Sequence, residues 1–239
     1  MTQNEIWLRT IAQKNNLPIT DIELSRLTQY CVLLERWNKS INLISRRDEE
    51  NLWRNHILMS LVFLFRIEFP SEAKILDLGT GGGLPGIPLS IMRRDIEFVL
   101  VDSIRKKTTA VEDMVEALGL PNVKVVCGRA EELSQLSIFG HTFDAVIARA
   151  VSSLDNLVAW AAPFLKIGEA SKKFVVSTPQ RIVLTRPVLI SIKGGDLSVE
   201  NDRARKRFPH ITLHSFDVTF NGSEVLDNFE KKIILVETN

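Results

Sequence analysis

The segment Lys74–Pro88, KILDLGTGGGLPGIP, constrains the fold of this chain more than any other stretch. A short apolar run enters it, and five glycines and two prolines are packed behind that run. Side chains are nearly absent from such a turn, so its chemistry must be done by backbone. Glycine lets backbone come close to a ligand because no Cβ intervenes. Pro85 and Pro88 suit the first turn of a following helix, where proline sacrifices no needed donor. That helix is expected to present free N–H groups at its start. A turn after the first strand of a doubly wound sheet lies at the carboxyl edge, where ligands bind.

The rhythm downstream fits such a sheet. KILDLG predicts a buried strand, IPLSIMRR a helix, EFVLVDS a second strand and RKKTTAVEDMVEALG a helix closed by Gly119. VKVVCG and FDAVIARA predict two more strands, and SLDNLVAWAAPFL another helix. Short apolar strands alternating with helices predict a doubly wound α/β domain with both sheet faces covered. Further on, KKFVVSTPQRIVLTRPVLISIKGG holds three β-rich runs broken at Thr178-Pro179 and Arg186-Pro187. KKIILVE predicts a last strand, which a hairpin turn at Asn221-Gly222 would make antiparallel.

Residues 1–70 predict a small helical extension ahead of an α/β domain at 71–239. Thr20 and Glu23 stand at capping-box spacing, and Leu24, Leu27, Cys31, Leu34 and Trp37 recur at helical period. The longest apolar run, ILMSLVFLF, has nine residues. A spanning helix needs roughly 20, so this run predicts a buried helix and no membrane partner. A length of 239 residues suits one domain with an extension. The net charge of +1 gives no global basic field, so any nucleic-acid site must come from local clustering. Cys31 and Cys127 make neither a disulfide framework nor a metal-ligand spacing, which predicts a reduced cytoplasm and no metal.

Gly81, Gly83 and Gly86 satisfy G-x-G-x-x-G, and Asp102 follows roughly 20 residues on, as a ribose-binding acid should. Both features fit NAD. They fit S-adenosylmethionine (AdoMet) equally well, since each ligand carries an adenosine ribose. A Walker P-loop is excluded, because the chain has no Gly-Lys dipeptide. Three details favour the methyl donor. Asp77, two residues before Gly79, could reach an ammonium and would repel a pyrophosphate. GRAEEL puts Glu131 beside the expected adenine pocket. FDAVIARA ends in Arg149, where a methyl acceptor would stand.

LLERWNKSINLIS, NHILMSL, ILDLGTGGGLPGIPLSI, LVDSIRKK, GRAEEL, FDAVIARA and IKGG occur in that order. Together they resemble the bacterial small-subunit rRNA guanine-N7 methyltransferases, the glucose-inhibited division protein B family. The resemblance implies a Rossmann-like class I AdoMet-dependent methyltransferase fold behind a helical extension. It implies methyl transfer to N7 of one guanine in the decoding-region loop of 16S rRNA. By position, Gly79 and Leu84 then look like donor contacts, and Ala130 and Glu131 like adenine-side contacts. Arg149 matches the family's arginine between donor and substrate, and Lys193 its strand-end lysine. Two features depart from the family. Met59 stands where an aspartate is usual, and the stretch 168–187 is longer than the family's turn.

The chemistry agrees with this residue set. Methyl transfer is an in-line displacement, in which positioning contributes most. Guanine N7 has a free lone pair and no proton, so no general base is required. No Asn/Asp-Pro-Pro-aromatic turn for exocyclic amines follows the fourth strand, which reads IARAVSS. No Pro-Cys for pyrimidine C5 chemistry is present either. Basic clusters stand at Arg46-Arg47, Arg93-Arg94, Arg105-Lys106-Lys107, Lys172-Lys173 and Arg203–Arg207. The helix start at Arg105, Lys106 and Lys107 is the expected phosphate contact, because it follows Asp102. Trp37 and His56 are expected to be packing residues. A small-molecule methyltransferase on the same fold is the alternative, and a monomer is expected.

Overall fold

The computed structural model describes residues 1–167, 175–178, 181–225 and 230–238. Helices α1 (Gln3–Lys14) and α2 (Asp21–Asn38) each begin with a reciprocal capping box, Thr2 with Glu5 and Thr20 with Glu23. The buried helix expected over ILMSLVFLF forms, but its start is irregular. A short α3 (Arg46–Glu49) is followed by a π-helical turn over Trp53–Leu58, which runs into α4 (Met59–Arg66). Every residue of α4 is buried, as its unbroken apolar run requires.

After a two-residue strand β1 (Ile67–Glu68), the strand–helix alternation begins. It runs β2 (Lys74–Leu78), α5 (Gly86–Met92), β3 (Glu97–Asp102), α6 (Arg105–Ala117), β4 (Val123–Cys127) and α7 (Ala130–Leu133). It continues with β5 (Ala145–Arg149), α8 (Leu154–Ala161), the antiparallel pair β6 (Val175–Thr178) and β7 (Arg181–Val183), and β8 (Val188–Gly194). Then come α9 (Ser198–Arg207), β9 (Ile211–Asp217) and β10 (Lys231–Thr238). The main sheet has the order β4-β3-β2-β5-β8-β10-β9. β2 pairs in parallel with both β3 and β5, and the chain reverses its direction of winding between them. That is the topological switch point, where the crevice of a doubly wound sheet opens.

Strand residues alternate between two apolar layers, because successive side chains point to opposite faces. Ile75, Phe98, Leu100, Ile147 and Ile190 join the cluster that includes α1, α2, α4, α5 and α6. Leu76, Val99, Val101, Val146 and Leu189 join the cluster under α7, α8 and α9. Full burial of one such side chain contributes about 1.5–3 kcal/mol. The N-terminal helices therefore share a continuous core with the sheet.

One expectation changes in the C-terminal third, and other features there were not anticipated. β10 is antiparallel to β8 and β9 as anticipated. However, Asn221-Gly222 is not a two-residue hairpin, because β9 ends at Asp217 and β10 starts at Lys231. Asn221 instead exchanges two 2.8 Å hydrogen bonds with the side chain of Asn15, which ties the connection to α1. α9 and β9 leave almost no periodic trace in the sequence. Ala204 is the only buried residue of α9, and β9 is a half-buried edge strand. Within the 168–187 stretch, β6 and β7 pair antiparallel and β7 adds in parallel to β1, making a second small sheet. Lys172-Lys173 lies outside the described residues.

Candidate active site at the switch point

A cavity of about 490 Å³ opens at the carboxyl ends of β2, β3, β4 and β5. Gly79, Gly81, Leu84, Asp102, Lys107, Ala130, Glu131 and Arg149 all line it. Residues far apart in sequence are thus brought together as anticipated. Gly83, Asp77, Lys193, Arg105 and Lys106 lie outside its wall.

The glycine turn needs its glycines. Gly79, Gly81 and Gly83 have φ of +75°, +58° and +93°, in the region that L side chains rarely adopt. A Cβ on Gly79 would fall 2.7 Å from both Val151 methyls. A Cβ on Gly81 would meet only the Leu43 carbonyl, 3.9 Å away, so this position borders open space.

Most amides of the turn have acceptors, and so do those at the start of the following helix, which were expected to be free. Gly79 and Thr80 donate to the Val101 carbonyl at 2.8 and 2.9 Å. Gly83 and Leu84 both donate to the Thr80 carbonyl at 2.9 Å. Gly81 donates to Asp102 Oδ2 at 3.0 Å, and Gly86, at the start of α5, donates to Asp77 Oδ2 at 2.9 Å. Ile87 donates to the Gly83 carbonyl at 2.8 Å. An anion cradle needs outward N–H groups. This turn spends most of its donors internally and lays two carboxylates against itself, which disfavours a pyrophosphate.

Asp77 is fully buried beneath the turn. Its Oδ2 also accepts from Thr80 Oγ1 at 2.7 Å, while its Oδ1 has no protein partner. Burial pushes this carboxyl up to about 6. Asp102 ends β3, and its Oδ1 accepts from the Ile104 amide at 2.9 Å. Each oxygen carries two lone pairs, so the carboxylate can still accept from hydroxyl groups in the cavity. Ala130 and Glu131 open α7 at the same edge.

Arg149 ends β5 and reaches across to the helical extension. One of its terminal nitrogens donates to the Asn55 carbonyl at 3.2 Å, the other to His56 Nδ1 at 2.8 Å. Arginine only donates, so Nδ1 must accept and the proton sits on Nε2. His56 Nε2 lies 3.7 Å from Asp48 Oδ2. Asp48 in turn accepts from Ser45 Oγ at 2.6 Å and Asn55 Nδ2 at 2.8 Å. Burial first, and then the Arg149 guanidinium, push the imidazole down to about 4. Its Asp48 neighbour is held below the usual carboxylate range, chiefly by the Ser45 hydrogen bond.

The remaining candidates are placed as follows. Lys193 Nζ donates to the Ser152 carbonyl at 2.8 Å and pairs with Glu200 at 2.6 Å, bracing the loop that follows Arg149. Arg105 and Lys106 are exposed at the start of α6, next to Lys107 in the wall. Arg93 pairs with Asp95 and Arg94 donates to the Gly119 carbonyl, both beyond the end of α5 and away from the cavity. Arg207 pairs with Asp155 at the start of α8. Met59 is buried in the core, so no carboxylate stands at that position.

Sequence reasoning missed one whole wall. Leu43, Ile44 and His56 line the cavity from the extension. Asn38 Oδ1 holds that loop by accepting from the Leu43 and Ile44 amides at 2.8 and 3.0 Å. Tyr30 Oη, fully buried, donates to the Gly82 carbonyl at 2.9 Å. The signal was present in LLERWNKSINLIS and NHILMSL, which read as helix packing. Trp37 does have such a role, donating to Asp113 on α6 at 2.8 Å.

Comparison with known proteins places this geometry. Residues 23–174 match the family model described as GidB, rRNA small subunit methyltransferase G. The ribosomal RNA small subunit methyltransferase G of Chlorobium phaeobacteroides is 38% identical over 197 residues, covering 82% of this chain and 78% of its own length. Its counterpart in Chlorobium limicola is 34% identical over 229 residues, covering 92% and 94%. Among solved structures, M. jannaschii TYW2 in complex with AdoMet matches with a TM-score of 0.51 at 12% identity, over 83% of this chain and 77% of that one. The structural likeness shows the fold, a Rossmann-like class I methyltransferase sheet, here behind a helical extension.

Proposed function

The chain belongs to the rRNA small subunit methyltransferase G family, and on that premise we propose that it transfers the methyl group of AdoMet to N7 of one guanine in the decoding-region loop of 16S rRNA. The observation that carries this reading is the cavity at the switch point, walled by a turn that spends most of its amides internally and by the Asp102 carboxylate. The residues fit the donor on three counts. The cavity has the size range of a cofactor site. Asp102 has lone pairs left for ribose hydroxyls. The buried, unpartnered Oδ1 of Asp77 is an acceptor suited to an ammonium, directly or through water. A dinucleotide would bring its pyrophosphate against the Asp77 and Asp102 carboxylates.

In this assignment, Gly79, Gly81, Gly83 and Leu84 shape the turn around the methionine moiety, and Asp77 supports it from below. Asp102 binds the ribose, and Ala130 and Glu131 flank the adenine. When bound, AdoMet supplies a methyl group on a sulfonium, activated for displacement by a lone pair. Guanine N7 offers that lone pair without losing a proton, so the chain need only align the partners. His56 suits such a reaction, because its acceptor nitrogen is committed to Arg149 and cannot serve as a base. Arg149 orients donor and guanine from the cavity wall, and Lys193 supports it from outside by bracing the loop that follows. Because 7-methylguanine carries positive charge, Arg149 meets phosphate or the O6 edge and avoids the ring face. Arg105, Lys106 and Lys107 contact RNA phosphates at the cavity mouth.

The same reading makes residues 1–70 an extension on a catalytic domain at 71–239. It makes the small ribosomal subunit or its 16S rRNA the partner, the cytoplasm the compartment and a monomer the working form. Among the described residues, no helix is long and apolar enough to cross a membrane. The test is transfer of label from methyl-tritiated AdoMet to small subunits lacking the modification. Reduction and aniline cleavage then locate 7-methylguanine. Label at one guanine of the decoding-region loop is expected. Donor binding without label on subunits or on their extracted RNA would point to a small-molecule acceptor.

A further inference from the structure

We propose that Asp48 and His56 are positioning residues for the reaction, which lock the Arg149 guanidinium in place through the π-helical turn Trp53–Leu58. The inference rests on the reading of Arg149 as the group between donor and guanine. Arg149 ends a strand at the cavity, yet neither of these two acceptors comes from the sheet. Both acceptors, the Asn55 carbonyl and His56 Nδ1, sit on consecutive residues of the π-helical turn. Such turns are rare and recur at functional sites. This one aims a backbone oxygen and a ring nitrogen at a single guanidinium.

The lock works only with a neutral imidazole in one tautomer. A protonated His56 would present N–H to a cation and expel it. The groups around the pair favour the neutral form. Arg149 itself repels a proton on the ring, and burial opposes any charge there. Asp48, from α3, faces Nε2 at 3.7 Å, beyond hydrogen-bond reach, so it acts on the ring by its charge, while the Arg149 donor at Nδ1 leaves the proton on Nε2. Burial is the largest influence on the guanidinium and disfavours its charge, and the carboxylates of Asp77 from β2 and Asp48 from α3 oppose it in part. Asp48 also accepts from Asn55 Nδ2, so it orients both residues that hold Arg149. The chain thus runs Ser45, Asp48, Asn55 with His56, and Arg149, from an exposed loop to the cavity.

A misplacement of about 1 Å in a positioning group can lower turnover by about 100-fold. His56→Leu removes the acceptor without adding charge and is expected to lower kcat by roughly 10- to 100-fold. His56→Asn puts Oδ1 close to the position of Nδ1 and is expected to restore most of that loss. A readout independent of turnover is side-chain ¹⁵N NMR of His56 in the ligand-free wild type. It should show an Nε2–H tautomer that does not titrate between about pH 5.5 and 8. In Arg149→Met, the ring should titrate at higher pH, because the repelling cation is gone and Asp48 remains. An ordinary titration near pH 6.5 in wild type, an Nδ1–H tautomer, or a His56→Leu enzyme with wild-type turnover would overturn the proposal. If wild type fails to methylate the small subunit, the functional reading falls, while the NMR result still decides the lock.

Discussion

Two walls of one cavity are built by opposite means. The wall at residues 79–86 is a contiguous turn, made of backbone and closed on its own hydrogen bonds. The facing wall combines residues from 38 to 56 with Arg149, more than ninety positions further on, and is made of side chains. The first wall depends on what is missing, since Cβ atoms at Gly79 and Gly86 would collide with fixed neighbours. The second depends on what is paired, since Asn38, Asp48 and His56 each hold a group that would otherwise lack a partner. A local, steric constraint and a long-range, polar one thus meet over the same ligand space.

That contrast predicts unequal responses to substitution. The largest effect on stability is expected for Gly86→Ala. Its Cβ would lie 2.1 Å from Leu100 Cδ2 and 2.7 Å from Asp77 Oδ2. Overpacking of this kind costs about 1–3 kcal/mol, and the upper end is expected because both neighbours are buried. Urea unfolding measures it, and a variant as stable as wild type would show that the turn tolerates a side chain after all. Asn38→Ala should come next. It leaves the buried Leu43 and Ile44 amides without their acceptor, at about 1–3 kcal/mol. It should also weaken donor binding, although Asn38 does not line the cavity. Unchanged affinity, read by calorimetry, would mean that the helical wall is not part of the donor site.

A smaller effect sharpens the comparison at Asp77, which underlies the turn. Burial raises its carboxyl to about 6, against an ordinary value of about 4. A group that holds its proton more tightly when folded stabilises the fold at low pH. That contribution is full below about pH 4 and is lost as pH rises through about 6. Asp77→Asn cannot ionise, so it should flatten this slope and gain on wild type toward neutral pH. Thermal melts from pH 4 to 8 compare the two. Parallel curves would show that Asp77 does not titrate as its burial dictates.

The sequence disclosed the turn wall and concealed the other. Glycines at 79, 81 and 83, and the acid at 102, carry their constraint in residue type and spacing, because each is forced by local geometry. Alternating apolar strands declared the sheet for the same reason. His56 looked like a packing histidine, since its partner on β5 is distant in the chain. A His-Asp relation existed, but only in space, between Asp48 and His56. α9 was equally opaque, because its placement comes from pairs such as Glu200 with Lys193 and Arg207 with Asp155 and leaves no apolar stripe. The free helix amides expected after the turn were an error of general rule over particular residues. Asp77 was in view, and its carboxylate takes the Gly86 donor.

The most direct test is a calorimetric titration of S-adenosylhomocysteine into wild type and into Asp102→Ala. The account predicts one site on wild type. It predicts at least about a tenfold loss in Asp102→Ala, corresponding to about 1.4 kcal/mol, with the thermal melt of the variant confirming a folded protein. Equal affinity in the two proteins, or no binding to wild type, would contradict the assignment of the cavity at the switch point as the donor site.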